Sequence, residues 1–395
     1  MYLTSFVHRK ALFDIAERWF CNRLEPGDAR ALTEILICDG FVVAETLVAL
    51  AKRLLDVTHG RPFQQRHIRL KGELRDLICL DEREANPRVK ELFRRYRDNP
   101  DYYYREAPIS GIMCLDADER LLGMLRIKRP KRIAEKANRR IAEWIFANVR
   151  GRAQEMAEER ARLSGVPFEG FVTPAEEMMK EFVRAEEVIA RSFRDGGIRF
   201  DMAALTIHDV GAVKIVAGTD ELKGLEKTLE AAPDIIIVGR EDFSGDYQAT
   251  NLVLEVSWDA EHVCRMFREC RAWERYLGRG IAEKDLIKGL EPFLVDAEPQ
   301  MQVELILSTF PDMVESELGN SIHEERIIAQ RDNKRYKGYI PMNVEFLVES
   351  LFAVGFSPRT DIDRVPIKLW GRYLPETLSS YIRKLHNLPE HDLFC

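Results

Sequence analysis

The spacing of apolar residues divides the chain into a mainly helical first part and a mixed second part. Apolar positions recur every three or four residues over 31–57, which predicts a helix with a break or bend at Gly40. Two short apolar runs within 111–127, separated by a polar turn, predict a pair of strands. A long polar helix is expected over 131–164. We therefore predict a mainly helical N-terminal region over residues 1–170.

From residue 176 onward, helix-like and strand-like patterns follow one another. Such an order is typical of an α/β or α+β layer in which helices cover one face of a sheet. The stretch VPFEGFVTPAEE is the predicted linker before this part, and a helical tail is expected over residues 331–395. The predicted strands are residues 202–219, 234–242 and 247–258 and the start of 303–326.

Composition and charge indicate a soluble globular protein. The chain has 395 residues, a length sufficient for two or three domains with their own cores. It is 46% hydrophobic and 32% charged, as is usual for globular proteins. The net charge of -7 argues against a protein coated in nucleic acid, although it is compatible with a local basic groove. No run of about 18 apolar residues occurs, so we expect no membrane span.

Cysteine usage and the first residues favour a cytoplasmic protein. The seven cysteines are scattered and never have C-x-x-C spacing, which argues against a zinc site and a disulfide framework. A reducing compartment suits such cysteines. The stretch MYLTSFVHRKALFDIAERWF is expected to form an amphipathic helix rather than a secretion signal.

Three predicted strands of the second part each contain a polar residue that an apolar strand does not need. These residues are Asp209 in TIHDVGAVKIV, Tyr247 in GDYQATNLVLEV and Glu304 in MQVELILST. Two carboxylates on adjacent strands are suited to hold Mg²⁺, which binds phosphates, and an aromatic ring is suited to stack on a base. The alternative is structural: Asp209 in a turn, Tyr247 half-buried on the sheet, and Glu304 facing solvent.

The stretch VELILSTFPDMVESELGNSIHEER resembles a segment of the RelA/SpoT-type alarmone synthetases. The family segment reads vEiQiRT, followed by a methionine, then AE-x-G and a histidine. In this chain Glu304 and Thr309 keep their places. Glu317, Gly319 and His323 fall at the same offsets after that threonine.

Three further stretches extend the resemblance over residues 180–330. IHDVGAVKIV is similar to the family's DivGiRi strand, and DYQATNLVL is similar to its GY(R/Q)SxH strand. VRAEEVIARSFRDGG is similar to the basic helix that meets ATP phosphates. The resemblance implies a nucleotidyltransferase-type domain over residues 176–330, in which a small mixed sheet is flanked by helices and a helical insertion occupies about 259–296.

The resemblance also implies an activity. An enzyme of this kind uses Mg²⁺ to move pyrophosphate from ATP to the 3′-hydroxyl of a guanine nucleotide, releasing AMP. By position, Asp209 would bind Mg²⁺, and Glu304 would bind or orient the metal and help to deprotonate the attacking hydroxyl. Phosphoryl-type transfer depends mainly on positioning and charge neutralisation, which such groups supply. The implied substrate-binding residues are Tyr247 on the acceptor base, Arg184, Arg191 and Arg194 on the donor phosphates, and Lys214, Asn251 and His323.

Departures from the family pattern leave the acceptor open. The family's PK-x-NGY loop corresponds to EDFSGDY, which lacks the lysine, and Asn251 stands where the family has histidine. The helical insertion is expected to reshape or cover the pocket. One alternative is transfer to RNA ends, for which the basic stretches 126–140 and 93–106 are candidates. Another is a degenerate module that binds nucleotide without catalysis, with Glu317 and His323 as ordinary helix residues.

A phosphohydrolase domain is not expected. The His-Asp doublets at 208–209 and 391–392 lack the partner histidine and aspartate spacing that a hydrolase metal site requires. We therefore predict no hydrolysis of alarmones by this chain.

Overall fold

A seven-stranded mixed sheet flanked by helices forms the centre of the molecule, which confirms the predicted α+β class. The computed structural model describes residues 6–82, 85–165, 174–207, 209–319, 325, 328–329, 339–374 and 376–389. The strands are β1 (Gln64–Leu70), β2 (Pro108–Leu115), β3 (Leu121–Ile127), β4 (Gly211–Val216), β5 (Ile235–Ser244), β6 (Gln248–Ser257) and β7 (Gln300–Ser308). Their order is β1-β2-β3-β4-β7-β6-β5. Strands β4 and β7 are parallel, and every other neighbouring pair is antiparallel.

The α-helices pack on both faces of this sheet. Short 3₁₀ helices at Pro100–Tyr103, Ala272–Tyr276 and Glu291–Phe293 connect some of them. In chain order the α-helices are α1 (Arg9–Phe20), α2 (Asp28–His59), α3 (Lys71–Ile78), α4 (Pro87–Asp98), α5 (Pro130–Leu163), α6 (Ala175–Arg194), α7 (Met202–Leu205), α8 (Thr219–Glu230), α9 (Ala260–Glu269), α10 (Glu283–Ile287), α11 (Phe310–Leu318), α12 (Tyr339–Gly355) and α13 (Glu376–Leu385). No helix in these ranges combines the length and apolarity needed to cross a bilayer.

Two apolar cores lie on opposite faces of the sheet. The larger core joins α2 to the strands through buried residues such as Leu47, Val213 and Leu305. The second core packs α3, α4 and α11 on the other face and includes Met124 and Met313. Because side chains alternate between the faces of a strand, β7 buries every second residue in the larger core and points the others to the opposite face.

The first three strands belong to the same sheet as the last four. Leu125 of β3 is paired with Val213 of β4. The two strands predicted within 111–127 are present as β2 and β3. Strand β1 was missed because QQRHIRL is polar, as suits an edge strand. The division of the chain into domains stays a prediction.

The predicted break at Gly40 and the predicted strand over residues 202–205 were wrong. Helix α2 continues through Gly40 without a break, because buried residues line it on both sides of the glycine and outweigh the cost of a helical glycine, about 1 kcal/mol. Residues 202–205, predicted as the start of a strand, form the short helix α7. Its N-terminus is capped by the Asp201 side chain, which accepts a hydrogen bond from the Ala204 amide at 3.0 Å.

The segment between β6 and β7 is helical and packs away from the second core. It contains α9 and α10, and Phe267 of α9 meets Phe41 of α2 edge-on with ring centroids 5.1 Å apart. Ile281 and Leu286 contact Ile37 of the same helix. These residues therefore extend the helical layer on the α2 side of the sheet.

Candidate functional site

A cavity of about 550 Å³ lies on the face of the sheet opposite α2. Its volume falls within the usual range for small-molecule sites, about 300–1,000 Å³. Strands β3, β4, β6 and β7 form its floor, and residues of α3, α5 and α11 form its walls. Eight basic side chains line it, Lys71, Arg126, Lys128, Arg129, Arg132, Lys136, Arg139 and Lys214, against the three carboxylates Asp209, Glu304 and Glu317. An acidic chain thus has a locally cationic cavity, which attracts anions.

Asp209 and Glu304, the two carboxylates singled out in the sequence, both line this cavity. Asp209 comes two residues before β4, and Glu304 lies on β7 opposite Ala212 of β4. The parallel pairing of β4 with β7 therefore brings together two carboxylates that are far apart in the sequence. The solvent-facing alternative for Glu304 does not hold, because its side chain is half-buried in the cavity.

The carboxylate of Asp209 is held by two lysines. Its Oδ2 lies 2.7 Å from Lys128 Nζ and also pairs with Lys136 Nζ. Burial alone would raise the pKa of Asp209, but the charges and hydrogen bonds of Lys128 and Lys136 lower it well below its ordinary value. Asp209 is therefore fully ionised at neutral pH, and its charge is compensated by groups that line the same cavity.

Glu304 has the opposite electrostatic environment. Burial is the main cause that raises its pKa, the negative charge of Asp209 adds to this effect, and Lys128 opposes it. Asn251 Nδ2 donates a hydrogen bond to Glu304 Oε1 at 3.2 Å. Glu304 is thus an oriented carboxylate whose negative charge is less compensated than that of Asp209.

The lysines at Asp209 come from the stretch 126–140, which the sequence offered only as a basic patch. Lys128 follows directly after β3, and its backbone amide donates to Val210 O at 2.8 Å, extending the β3–β4 pairing. Lys136 lies in the first two turns of α5, one side of which faces the cavity. Sequence reasoning missed the two lysines as members of the site. The usable signal was the density of basic residues where a strand meets a helix.

Lys214 faces the cavity from the middle of β4. Burial is the main cause that lowers the pKa of Lys214 to about 8. The positive charges of Arg126 and Lys71 lower this pKa further, and the negative charge of Glu317 opposes the decrease. At pH 7 the amine is still mostly charged. Among the residues that the structure describes, no carboxylate forms an ion pair with it. A half-buried ammonium of this kind is stabilised by an anionic ligand.

Glu317 lies at the far wall of the cavity and is almost fully buried. Its Oε2 lies 2.6 Å from Lys71 Nζ and 3.5 Å from the Arg75 guanidinium, and Arg75 Nε donates to its carbonyl oxygen at 3.2 Å. Burial would raise its pKa, but Lys71 and Arg75 lower it well below the ordinary value. The reading of Glu317 as a solvated helix residue was therefore wrong, because its partners on α3 lie far away in the sequence.

Two aromatic rings border the cavity beside β6. Tyr247 lies in the bend just before β6 rather than within the strand, and it is half-buried. Its ring is close to parallel with that of Phe243, at an interplanar angle of 19° with centroids 6.3 Å apart. Asn251, which donates a hydrogen bond to Glu304, is the second predicted acceptor-side residue found here.

The predicted donor-phosphate arginines are not in this cavity. Arg184, Arg191 and Arg194 are exposed on α6, and none of them lines it. Helix α6 turns its apolar side toward α5, where Phe182 and Phe146 have ring centroids 5.5 Å apart, so its arginines face solvent. His323 lies outside the described residues. The helical segment at 259–296 does not line the cavity either, so the expectation that it reshapes or covers the pocket is not met.

The basic aromatic stretch 93–106 has a mainly structural role. Arg95, Arg97 and Arg105 each pair with a carboxylate. Tyr96 and Tyr103 are buried in the second core. Their placement gives no support to an RNA-binding surface along this stretch.

Comparisons with known proteins add little to this picture. No family model matches the chain, and no curated protein matches it. Similar solved structures include small alarmone synthetase 1 from Bacillus subtilis bound to its product pppGpp, with 11% identity over 47% of this chain and 70% of that chain and a TM-score of 0.18. Another structure of the same synthetase has 15% identity over 53% of this chain and 93% of that chain, with a TM-score of 0.19. Because both TM-scores are low, these two likenesses carry no argument about function.

Proposed function

We propose that this chain is a Mg²⁺-dependent transferase that moves pyrophosphate from ATP to the 3′-hydroxyl of a guanine nucleotide. The observation that carries the proposal is the pairing of β4 with β7, which brings Asp209 and Glu304 together in a cavity lined by eight basic residues. Transfer between two phosphate-bearing substrates needs this combination of carboxylates for a metal and cations for phosphates. The identity of the nucleotides is taken from the sequence resemblance.

The two carboxylates fit a magnesium ion. Mg²⁺ prefers oxygen ligands and is usually held by one or two carboxylates together with substrate phosphates. The described residues contain no group of three or more His, Cys, Asp or Glu side chains that could hold a metal by themselves. The raised pKa of Glu304, caused by burial and by Asp209, marks a place where a cation is favourable. When bound, Mg²⁺ would neutralise phosphate charge next to Asp209 and Glu304.

The donor phosphates are assigned to the cationic side of the cavity, where β3 leads into α5. Lys128 and Lys136 are paired with Asp209, and Arg126 and Arg132 line the cavity nearby. Entry of a polyphosphate offers these lysines several anionic oxygens in place of one carboxylate. Asp209 then becomes available for the metal, so that binding of the donor and of the metal are coupled.

In the transfer step, Glu304 accepts the proton of the attacking hydroxyl. The 3′-oxygen of the acceptor attacks the β-phosphorus of ATP, the bond from that phosphorus to the oxygen bridging the α-phosphate breaks, and AMP leaves with that oxygen. The proton of the hydroxyl passes to the Glu304 carboxylate, which Asn251 holds in one orientation. A carboxylate with a raised pKa is a stronger base, which suits it for this role.

The acceptor is assigned to the part of the cavity lined by β4 and by the bend before β6. Tyr247 offers a ring face to the base of the acceptor. Lys214, which forms no ion pair with a carboxylate among the described residues, offers its positive charge to the phosphates of the acceptor. Lys71, on the wall formed by α3, also lines the cavity and is already paired with Glu317. These groups supply the positive charge that the shortened loop EDFSGDY lacks.

The proposal is tested by incubating the protein with ATP, Mg²⁺ and either GDP or GTP. We expect AMP together with a guanine nucleotide that has gained two phosphates, and neither product when Mg²⁺ is removed with EDTA. Chromatography of the nucleotides measures both. A parallel reaction contains RNA and ATP labelled in its terminal phosphates. If the label appears on RNA ends instead of on a guanine nucleotide, the RNA alternative is correct. Absence of AMP with every acceptor contradicts the transfer and favours a binding module.

A further inference from the structure

The hairpin of β5 and β6 presents two aromatic faces to one end of the cavity. Phe243, near the end of β5, and Tyr247, in the bend, are both half-buried and both line the cavity. Their ring planes differ by only 19°, and their centroids lie 6.3 Å apart. A planar base held between two parallel rings needs about 7 Å between them, twice the carbon contact distance of about 3.5 Å. Because centroids 6.3 Å apart at a small interplanar angle also fit two rings in offset contact, the bend has to open for a base to enter between them.

The hairpin end is anchored to the first turn of α11. The backbone amide of Gln248 donates to Asp312 Oδ1 at 2.8 Å, and Asp312 lies in the first turn of α11, which follows directly on β7. The Thr250 hydroxyl donates to Asp242 Oδ1 at 2.9 Å across the two strands. The hairpin backbone is thus tied to α11, which follows the strand that carries Glu304, while the bend between β5 and β6 sets the separation of the two rings.

We propose that Phe243 is a second base-binding residue, which forms with Tyr247 an aromatic clamp for the planar base of the acceptor. This inference rests on the proposed function and goes beyond it, because it makes stacking on two faces the source of base recognition. Phe243 belongs to the stretch EDFSGDY, which lacks the lysine of the corresponding family loop. The chain therefore replaces a charge at this loop by aromatic surface, which every base can use and which purines, with the larger rings, use best.

The clamp is tested by comparing a nucleotide with its phosphates alone. The Kd of GTP and of inorganic tripolyphosphate is measured by isothermal titration for the wild type, Phe243→Leu and Phe243→Trp. Leucine keeps apolar volume but removes the ring, so Phe243→Leu is expected to weaken GTP binding about tenfold, the size of one lost stacking contact. Tripolyphosphate binding is expected to stay unchanged, and Phe243→Trp is expected to retain GTP binding. Val238→Ala, an exposed apolar residue of β5 outside the cavity, is the matched control and should bind both as the wild type does.

Two results overturn the clamp. One is a Phe243→Leu variant that binds GTP as tightly as the wild type or loses tripolyphosphate to the same extent. The other is a wild type that binds GTP no more tightly than tripolyphosphate. The two proposals can fail separately. If the guanine base adds affinity through Phe243 but the wild type releases no AMP from ATP, the proposed transfer is refuted and the clamp is not.

Discussion

Glu304→Gln is expected to lower the rate of AMP release from ATP by about a thousandfold or more, while the protein keeps its fold. The substitution preserves the shape of the side chain and leaves an oxygen for the Asn251 hydrogen bond, but it removes both a metal ligand and the base for the attacking hydroxyl. Neutralising a half-buried carboxylate whose pKa is raised costs the folded state little, since burial already disfavours its charge. The loss should therefore remain at saturating ATP and appear in kcat.

The matched control for this prediction is Glu255→Gln. Glu255 is also a half-buried strand glutamate, on β6, but it does not line the cavity, so its variant should keep wild-type activity. Steady-state rates at saturating ATP and acceptor, with circular dichroism of each variant, make the comparison. If Glu304→Gln retains more than about a tenth of the wild-type rate, Glu304 is neither the base nor a required metal ligand.

Glu317→Gln is expected to destabilise the protein by about 3 kcal/mol. Glu317 is the anionic partner of Lys71 and Arg75, and all three side chains are almost fully buried. Removing one member of a buried ion pair leaves the remaining charge without compensation, which costs more than the pair itself contributes. The free energy of unfolding in urea measures the effect.

The same pair predicts a dependence on pH. Lys71 and Arg75 hold the pKa of Glu317 below its ordinary value, so the carboxylate stabilises the fold above the pKa of the unfolded chain, about 4.3. This stabilisation is lost as the pH falls toward the lower pKa of the folded state. The difference between wild type and Glu317→Gln should thus be full at pH 7 and shrink below about pH 4.

Glu119→Gln provides the control for Glu317→Gln. Glu119 pairs with Arg66 at 2.5 Å, but both side chains are exposed, so the variant should change stability by less than about 1 kcal/mol. Equal effects of the two substitutions at pH 7 would show that burial of the Glu317 pair has no energetic consequence.

Local pattern predicted the second half of the fold well and the first half less well. Strands β5, β6 and β7 were predicted because apolar runs bounded by turn residues specify strands directly. Strand β1 was missed because an edge strand has few buried residues to produce such a pattern. Nothing local shows that β3 pairs with β4, since that contact joins parts of the chain more than 80 residues apart.

The candidate site shows the same division. Asp209 and Glu304 were found because each interrupts an apolar stretch, and the order of motifs related them to each other. Lys128 and Lys136 were missed as members of the site because their partner, Asp209, lies 81 and 73 residues away. Arg184 looked suitable by motif, yet the packing of α6 on α5 turns it to solvent. Which charged residues meet in the cavity depends on tertiary contacts that periodicity does not encode.

The most direct test of the central claim, that Asp209 and Glu304 together hold Mg²⁺ on the donor nucleotide, is calorimetric titration with α,β-methylene-ATP, which cannot release AMP. For the wild type, Mg²⁺ is expected to tighten binding about tenfold or more relative to EDTA. For the Asp209→Asn, Glu304→Gln double variant, Mg²⁺ should give no gain, and binding in EDTA should equal or exceed that of the wild type because two negative charges are gone. An equal gain from Mg²⁺ in both proteins would contradict the claim.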